Sequence, residues 1–175
     1  GHSDLMLGVV VLRGNTDVEQ RLRAIQKHKG GIPSPFDCWL ALRGVQSLSV
    51  RMRAHCDGAM AVALALRDQP LIKSVLYPGL PDHPGHHRAS AQMSGYGGMM
   101  SLIVAGGERA AMRLAANLQL IVRATSLGGT HSLIEHRASV EGRGTLAPPG
   151  LLRLSIGLEH PDDLIADLTQ ALSNI

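Results

Sequence analysis

The chain is poor in aromatic residues and cysteine, and it contains no long apolar run. Aromatic side chains are only 2% of its 175 residues, so aliphatic side chains must form any core. Its two cysteines, Cys38 and Cys56, lack the CxxC spacing of metal and redox sites, which favours two packed, reduced thiols. No apolar run approaches the ~18 residues of a membrane span. No secretory signal pattern opens the sequence, so we expect a cytoplasmic protein without a membrane partner.

The composition is that of a globular protein without a nucleic-acid function. Hydrophobic residues make up 45% of the chain, too many for a disordered polypeptide. The formal net charge is +3, but the arginines are scattered and lack the interleaved aromatic residues that single-strand binders use. We therefore expect no nucleic-acid partner.

The first thirty residues predict a strand and a capped helix. GVVVL (Gly8–Leu12) is short, β-branched and uncharged, which is typical of a buried strand. Thr16 and Glu19 have the spacing of a capping box, so a helix should begin immediately after Thr16, and Gly30 can end it. Because a core strand comes so soon after Gly1, we expect that a preceding segment of the protein is missing.

The rest of the chain predicts a long helical connector and then alternating strands and helices. Ser34 can cap a helical stretch that continues to about Arg67, with Gly44 and Gly58 as candidate bends. Strands are expected at Ile72–Tyr77, Met99–Val104, Leu118–Ala124 and Leu151–Leu158, and helices at His86–Met93, Glu108–Leu118 and Pro161–Leu172. This order predicts a mixed α/β fold.

Two histidine- and glycine-rich segments invite functional hypotheses that the residues support weakly. His83, His86 and His87 lie in a Pro/Gly loop without thiolate partners nearby, so a solvated loop is favoured over a zinc site and no metal is expected. SGYGG (Ser94–Gly98) precedes a strand instead of opening a helix, which is the wrong context for a phosphate loop. Close backbone packing is the better interpretation.

Two other features are stronger candidates for a site. TSLGG (Thr125–Gly129) follows an expected strand, where loops often carry function, and Ser126 has about even odds of a functional role. Arg153 lies inside the apolar strand LLRLSIG, and a charge placed there needs an anionic partner. That partner is either an internal Asp or Glu, or the carboxylate of a ligand held by the guanidinium fork. The residues alone leave the two alternatives nearly equal.

Seven segments in a fixed order resemble one known family. They are GHSD, IPSPFDCWLALRG, LYPGLPDHPGHH, QMSGYGGMMS, TSLGG, SLIEH and LLRLSIGLEHPDDLIADL. Together they are similar to the C-terminal half of the Cys/Met-metabolism, or trans-sulfuration, family of pyridoxal-phosphate enzymes, which includes the cystathionine synthases and lyases and methionine γ-lyase. The resemblance covers essentially the whole chain.

The resemblance implies a fold and a division into domains. The expected fold is the C-terminal part of the aspartate-aminotransferase-like α/β fold, known as fold type I, with a mixed sheet, covering helices and a long linking helix. Residues 1–70 would close the large cofactor-binding domain and supply the linking helix. Residues 71–175 would form the small C-terminal domain. The family also implies a homo-oligomer built as a dimer of dimers.

The resemblance further implies a pyridoxal 5'-phosphate enzyme that acts by elimination or replacement on cystathionine, an O-acyl homoserine or a similar amino acid. Arg153 matches the arginine that binds the substrate α-carboxylate, and Ser126 matches a serine that lines the active site; Thr125 adjoins it as a third substrate-side residue. The lysine that forms the Schiff base with the cofactor is expected upstream of Gly1, so the 175 residues alone should be inactive. The alternative is a non-catalytic, stand-alone small domain used for binding or assembly.

Two departures from the family bear on the subtype. Several γ-specific members carry Glu immediately before SLGG, where this chain has Thr125, which argues against the γ-lyase or γ-synthase subtype. After SLIEH the chain has RASVEGRGTLAPPG (Arg137–Gly150) in place of a longer family stretch. Substrate selectivity is expected in this loop.

Overall fold

The computed structural model describes residues 2–14 and 16–175, which form two compact units, Gly1–Leu48 and Ser49–Ile175. The first unit contains helices α1 (Asp17–Lys29) and α2 (Pro35–Val45). The second contains a five-stranded sheet and the remaining helices. The expected domain division at 70–71 stays a prediction.

Both helices of the first unit begin where the sequence predicts, and α1 also ends there. The Thr16 hydroxyl accepts a hydrogen bond from the Glu19 amide, and Gly30 ends α1 in the left-handed conformation. The Ser34 hydroxyl accepts from the Asp37 amide at the start of α2. Both caps are local interactions, so they depend on no distant part of the chain.

The expected strand at Gly8–Leu12 is wrong. These residues form no strand, and Val9, Val10 and Val11 are exposed. A strand requires a neighbour that accepts and donates its backbone hydrogen bonds. Within residues 2–14 and 16–175, no segment pairs with GVVVL, so its β-branched composition is not enough to form a ladder.

The long helical stretch is two helices, as the sequence allowed. α2 is followed by a turn at Gln46–Ser47, and α3 (Leu48–Arg67) then continues without a break. Gly44 therefore lies next to the interruption, whereas Gly58 is not a bend. A Cβ at Gly58 would lie 3.2 Å from Cγ2 of Ile156, so this glycine allows α3 to approach the sheet closely.

The sheet of the second unit has the strand order β1-β2-β5-β4-β3. The strands are β1 (Ile72–Leu76), β2 (Met99–Val104), β3 (Val122–Arg123), β4 (Leu133–His136) and β5 (Leu151–Ser155). β3 and β4 are parallel, and the other three pairs are antiparallel. The helices that accompany them are α4 (His86–Gln92), α5 (Gly107–Asn117), α6 (Arg137–Glu141) and α7 (Pro161–Leu172).

One face of the sheet belongs to the core and the other is more open. Met100 and Leu102 of β2 are buried and pair in register with Leu154 and Leu152 of β5. These residues form one apolar core with buried residues of α3, α5 and α7. Side chains alternate along a strand, so the intervening positions of β2, β5 and β4 point to the opposite face. The candidate site lies on that face.

Two further differences from the sequence prediction have physical causes. The expected strand Leu118–Ala124 is reduced to Val122–Arg123, because the amides of residues 119–121 donate to the carboxylate of Asp167 instead of to a neighbouring strand. The strand β4 and the helix α6 were not predicted from SLIEHRAS. Their four and five residues are too short for a periodic pattern, and a charged residue interrupts β4.

In the part of the chain that the structure describes, no helix is both long enough and apolar enough to cross a membrane.

Candidate functional site

Arg153 lies on the more open face of the sheet, at the centre of β5. It pairs in register with Ser101 of β2 on one side and with Glu135 of β4 on the other. Its side chain is 24% exposed, although both neighbours along β5, Leu152 and Leu154, are fully buried. The strand therefore anchors the arginine firmly and leaves part of its guanidinium group accessible.

Glu135 is the internal partner that the sequence left open for Arg153. Its Oε1 lies 2.9 Å from Nε of Arg153, and the Glu135 side chain is only 4% exposed. A second guanidinium, from Arg137 at the start of α6, donates to the same oxygen. The salt-bridge alternative is therefore realised, and it uses only one edge of the Arg153 guanidinium.

Arg137 connects this buried carboxylate to the surface. Its Nη2 lies 2.7 Å from Oε1 of Glu141 on the next turn. Hydrogen bonds that Arg137 donates to Glu135 and then to Glu141 raise the pKa of Arg137, so it stays charged. The hydroxyl of Thr145, followed by Arg137, lowers the pKa of Glu141. Arg137 thus lies between a buried and an exposed carboxylate.

The TSLGG turn is hydrogen-bonded to residues of β5, including Arg153. Nη2 of Arg153 donates to the carbonyl oxygen of Ser126 at 3.0 Å, and the Gly128 amide donates to the Ser155 hydroxyl at 2.9 Å. Ser126 has φ +92°, a conformation that L-residues rarely adopt and that costs about 1–3 kcal/mol. Such strain persists only where surrounding contacts hold the backbone, as these two bonds do.

The remaining edge of the Arg153 guanidinium is suited to an anion. Nε is used by Glu135 and Nη2 by Ser126, whereas Nη1 has no partner among the described residues. A carboxylate that approaches the outer edge would accept two parallel hydrogen bonds, the geometry in which arginine binds carboxylates most specifically. Thr125 and Ser126 are both exposed beside it. The ligand role of these three residues stays a prediction.

No lysine stands near this guanidinium in the second unit. The chain has three lysines, of which Lys27 and Lys29 end α1 in the first unit. Lys73 is exposed on β1, which β2 separates from β5. Within the second unit, therefore, no lysine amine lies beside the Arg153 guanidinium.

The histidine and glycine segments have structural explanations. His86 donates from Nδ1 to the carbonyl oxygen of Pro78, and Nδ1 of His83 accepts from the Gly85 amide. No group of three or more metal-binding side chains occurs in residues 2–14 and 16–175. In SGYGG, a Cβ at Gly98 would lie 3.1 Å from both Cβ of His55 and the Ile156 carbonyl oxygen. Glycine is thus required there for close packing, as the sequence favoured.

Tyr77 adds a second buried contact to the SGYGG segment. Its hydroxyl donates to the Gly97 carbonyl oxygen at 2.9 Å, and burial raises its pKa far above the ordinary value. It remains neutral and structural at any physiological pH.

The first unit has a cavity of its own, with a volume of about 800 Å³. It lies between the extended residues that precede α1 and α1 itself, and its lining is largely apolar. It contains none of the predicted site residues.

Sequence reasoning missed Glu135 and Arg137. Both lie in SLIEHR, which was used only as part of a resemblance. The available signal was a carboxylate embedded among apolar residues in LIEH, the same pattern that singled out Arg153 in LLRLS. Two oppositely charged residues, each inside an apolar strand, are candidates for pairing across a sheet.

The chain is similar to known proteins of one enzyme family. A family model described as "Cys/Met metabolism PLP-dependent enzyme" matches residues 1–173. The cystathionine gamma-synthase of Mycobacterium tuberculosis (strain ATCC 25618 / H37Rv) is 45% identical over 98% of this chain and 45% of its own length. The cystathionine gamma-lyase of Mus musculus is 44% identical over 98% of this chain and 45% of its own length.

A solved structure shows the same fold. The crystal structure of metB from Corynebacterium glutamicum superposes with a TM-score of 0.91 at 43% identity, and it covers 99% of this chain and 46% of that one. The expected fold class is therefore confirmed. The chain spans less than half the length of the relatives it matches.

Proposed function

Because the chain belongs to the family of Cys/Met metabolism PLP-dependent enzymes, we propose that it is the C-terminal part of a pyridoxal-phosphate-dependent lyase or transferase of the trans-sulfuration class. The complete enzyme acts by elimination or replacement on cystathionine, an O-acyl homoserine or a similar amino acid. The observation that carries this proposal is the accessible guanidinium edge of Arg153, held in a buried strand. The resemblance implies that this arginine binds the substrate carboxylate.

Arg153 binds and orients the substrate. Pyridoxal phosphate, when bound, supplies an electron sink for bonds broken at the substrate α-carbon. Only a bond perpendicular to the cofactor ring benefits, so the orientation of the amino acid matters. A carboxylate held by two parallel hydrogen bonds to one guanidinium cannot rotate freely, and positioning of this kind supplies several kcal/mol in favourable cases.

Ser126 and Thr125 line the same side of the site. Ser126 contributes its carbonyl oxygen to Arg153 and presents its exposed side chain beside the guanidinium. Its strained backbone supports a functional role, because strained residues cluster at sites whose geometry is fixed by their surroundings. Thr125 places a hydroxyl where several γ-specific members have a carboxylate, so it contributes to the choice of substrate.

The residues that hold the cofactor lie outside this chain. The resemblance implies that the lysine that binds it precedes the segment matching GHSD, and so belongs to a part of the enzyme outside these 175 residues. Residues 1–70 close the cofactor-binding domain and supply the linking helix, and residues 71–175 form the small domain. The complete enzyme is a cytoplasmic homo-oligomer, built as a dimer of dimers. The 175 residues alone are inactive.

A second candidate function is a non-catalytic small domain for binding or assembly. The observation that favours it is the distribution of burial, because every buried residue of the described chain belongs to the second unit. Such a unit has a core of its own. It requires no cofactor, so its optical spectrum separates it from the enzyme.

The test is the colour of the protein produced from the complete coding frame that contains this chain. An enzyme of this class should be yellow, and borohydride should bleach it by reducing the carbon–nitrogen double bond to the lysine. Turnover of cystathionine or an O-acyl homoserine should accompany the colour. A colourless protein that takes up no pyridoxal phosphate would contradict the enzyme and support the binding domain.

A further inference from the structure

Glu135 is buried between two arginines, and one of its oxygens has no partner. Oε1 contacts both Nε of Arg153 and Nη1 of Arg137. Oε2 is fully buried and accepts no hydrogen bond from any described residue. A buried carboxylate with an unused oxygen is costly, and replacing such a charged group by apolar residues often stabilises a protein. Folding alone therefore gives a weak reason for a carboxylate here.

The contact with Arg153 has a consequence for the guanidinium plane. An arginine side chain has four rotatable bonds, and β5 fixes only its Cα. Hydrogen bonds from two different nitrogens of the planar group restrict both its plane and the direction of its outer edge. Glu135 occupies Nε, and the Ser126 carbonyl oxygen occupies one hydrogen of Nη2. The edge that includes Nη1 is then held toward the open face.

We propose that Glu135 is a positioning residue, which orients Arg153 so that its outer edge receives the substrate carboxylate. This inference rests on the proposed function and adds a residue to it. Glu135 does not touch the substrate, and its effect passes through the guanidinium of Arg153.

The negative charge of Glu135 is the obvious objection, because a carboxylate beside Arg153 repels a second carboxylate. Arg137 compensates for this repulsion with a second positive charge beside Glu135. Two guanidinium groups share Oε1 of Glu135, so Glu135, Arg137 and Arg153 together carry a net charge of +1 and can accept one further anion. Glu141, which also pairs with Arg137, is partly exposed, and solvent screens its charge. Glu135 therefore orients Arg153 without cancelling its attraction for an anion.

The experiment measures kcat and KM for Glu135→Ala and Glu135→Gln in the complete enzyme, with rates normalised to bound cofactor. With the amino-acid substrate that the wild type turns over, Glu135→Ala should raise KM roughly tenfold or more and lower kcat less. Glu135→Gln should be intermediate, because its amide oxygen still accepts from Nε. Should the alanine variant fail to fold, the glutamine variant carries the test.

The matched control is Glu19→Gln, which removes a carboxylate that pairs with Arg23 on α1 and contacts none of the candidate site residues. Its KM should stay within roughly twofold of the wild type. A purely structural Glu135 would lower thermal stability and the active fraction while KM stayed unchanged.

The outcomes separate this inference from the proposed function. An active wild-type enzyme in which Glu135→Gln has the KM of Glu19→Gln would contradict the inference alone. A colourless, inactive wild-type protein would contradict the proposed function and the inference with it.

Discussion

The two units of this chain contain the same kinds of local signal, yet only the second has a core. In Ser49–Ile175, 22 hydrophobic residues are buried, among them Leu102, Leu152 and Leu154 at 0% exposure. In the first unit no described residue is buried, and Val9 and Val11 are 77% and 88% exposed. Helices with good caps occur in both. Local capping is therefore enough for a helix, whereas burial needs partners from distant parts of the chain.

The two apolar strand candidates show the difference most clearly. MMSLIV forms β2 because β1 and β5 pair with it on both sides. GVVVL has an equally apolar sequence and forms no strand within the described residues. A strand exists only in a ladder, so its sequence predicts a tendency and its neighbours decide the outcome.

The largest expected contrast is in backbone hydrogen exchange. Amides of Met99–Val104 and Leu151–Ser155 should exchange at least about a thousandfold more slowly than amides of Asp17–Lys29, because core strands open only with the whole unit. Peptide-level exchange measured by mass spectrometry on the 175-residue chain checks this. Equal protection of α1 and β2 would show that the first unit is buried in a way that its exposure does not indicate.

The next contrast compares two glycines. A Cβ at Gly157 would lie 2.5 Å from both Oε2 of Glu159 and the Thr130 carbonyl oxygen, so Gly157→Ala should cost about 3 kcal/mol or more of unfolding free energy. Gly31 in the first unit has open space around its Cβ position, and Gly31→Ala should stay within about 0.5 kcal/mol. Urea unfolding followed by circular dichroism measures both. A Gly157→Ala protein as stable as Gly31→Ala would refute the packing described here.

Asp167 gives a contrast that depends on pH. Burial alone would raise its pKa, but the amides of Gln119, Ile121 and Leu120 together with the side chain of Gln170 outweigh that effect and lower it. A carboxyl whose pKa is lowered by folding stabilises the protein above its unfolded pKa, and this contribution is lost as the pH falls through the folded value.

Asp167→Asn should therefore cost about 2 kcal/mol at pH 7, because the amide cannot accept all these donors. The difference in unfolding free energy between Asp167→Asn and the wild type should narrow as the pH falls below about 4. Urea titrations at several pH values measure it, with Asp37→Asn in the first unit as the control. A gap independent of pH would contradict a role for the charge.

The smallest contrast concerns two serines with positive φ. Ser126→Gly should make the second unit about 1 kcal/mol more stable than Ser126→Ala, because glycine adopts φ +92° without strain. Ser3, in the first unit, has φ 59°, and the same pair of substitutions there should leave the unfolding of the second unit unchanged. Thermal melts of the four variants test this. Identical melts for both Ser126 variants would show that the turn is not strained.

Whether a feature could be predicted from the sequence depends on how far apart along the chain its interacting residues lie. Thr16 and Ser34 were identified as caps because each bonds to a residue three positions away. The sequence assigned no role to Asp167, since nothing local reveals that it accepts from amides 46 to 48 residues earlier. The strand predicted at Leu118–Ala124 is shortened for the same reason, because its first amides donate to this distant carboxylate.

The residues of the candidate site likewise divide into those recognisable within one segment and those whose role depends on a distant segment. Arg153 and Ser126 were found from sequence, because a charge inside an apolar strand and a glycine-rich turn are visible in single segments. Glu135 was missed, because its importance arises only when β4 and β5 pair. For Arg153 the sequence offered a salt bridge or a ligand as alternatives, and the geometry makes them compatible.

The most direct test of the central claim is Arg153→Ala in the complete protein. Arg137 remains to pair with Glu135, so the substitution does not leave that carboxylate unpaired. We expect the cofactor absorbance and melting temperature to change little, while kcat/KM for the amino-acid substrate falls by about 100-fold or more. Loss of folding or of cofactor without a selective loss of substrate turnover would contradict the carboxylate role and leave Arg153 as a structural salt bridge.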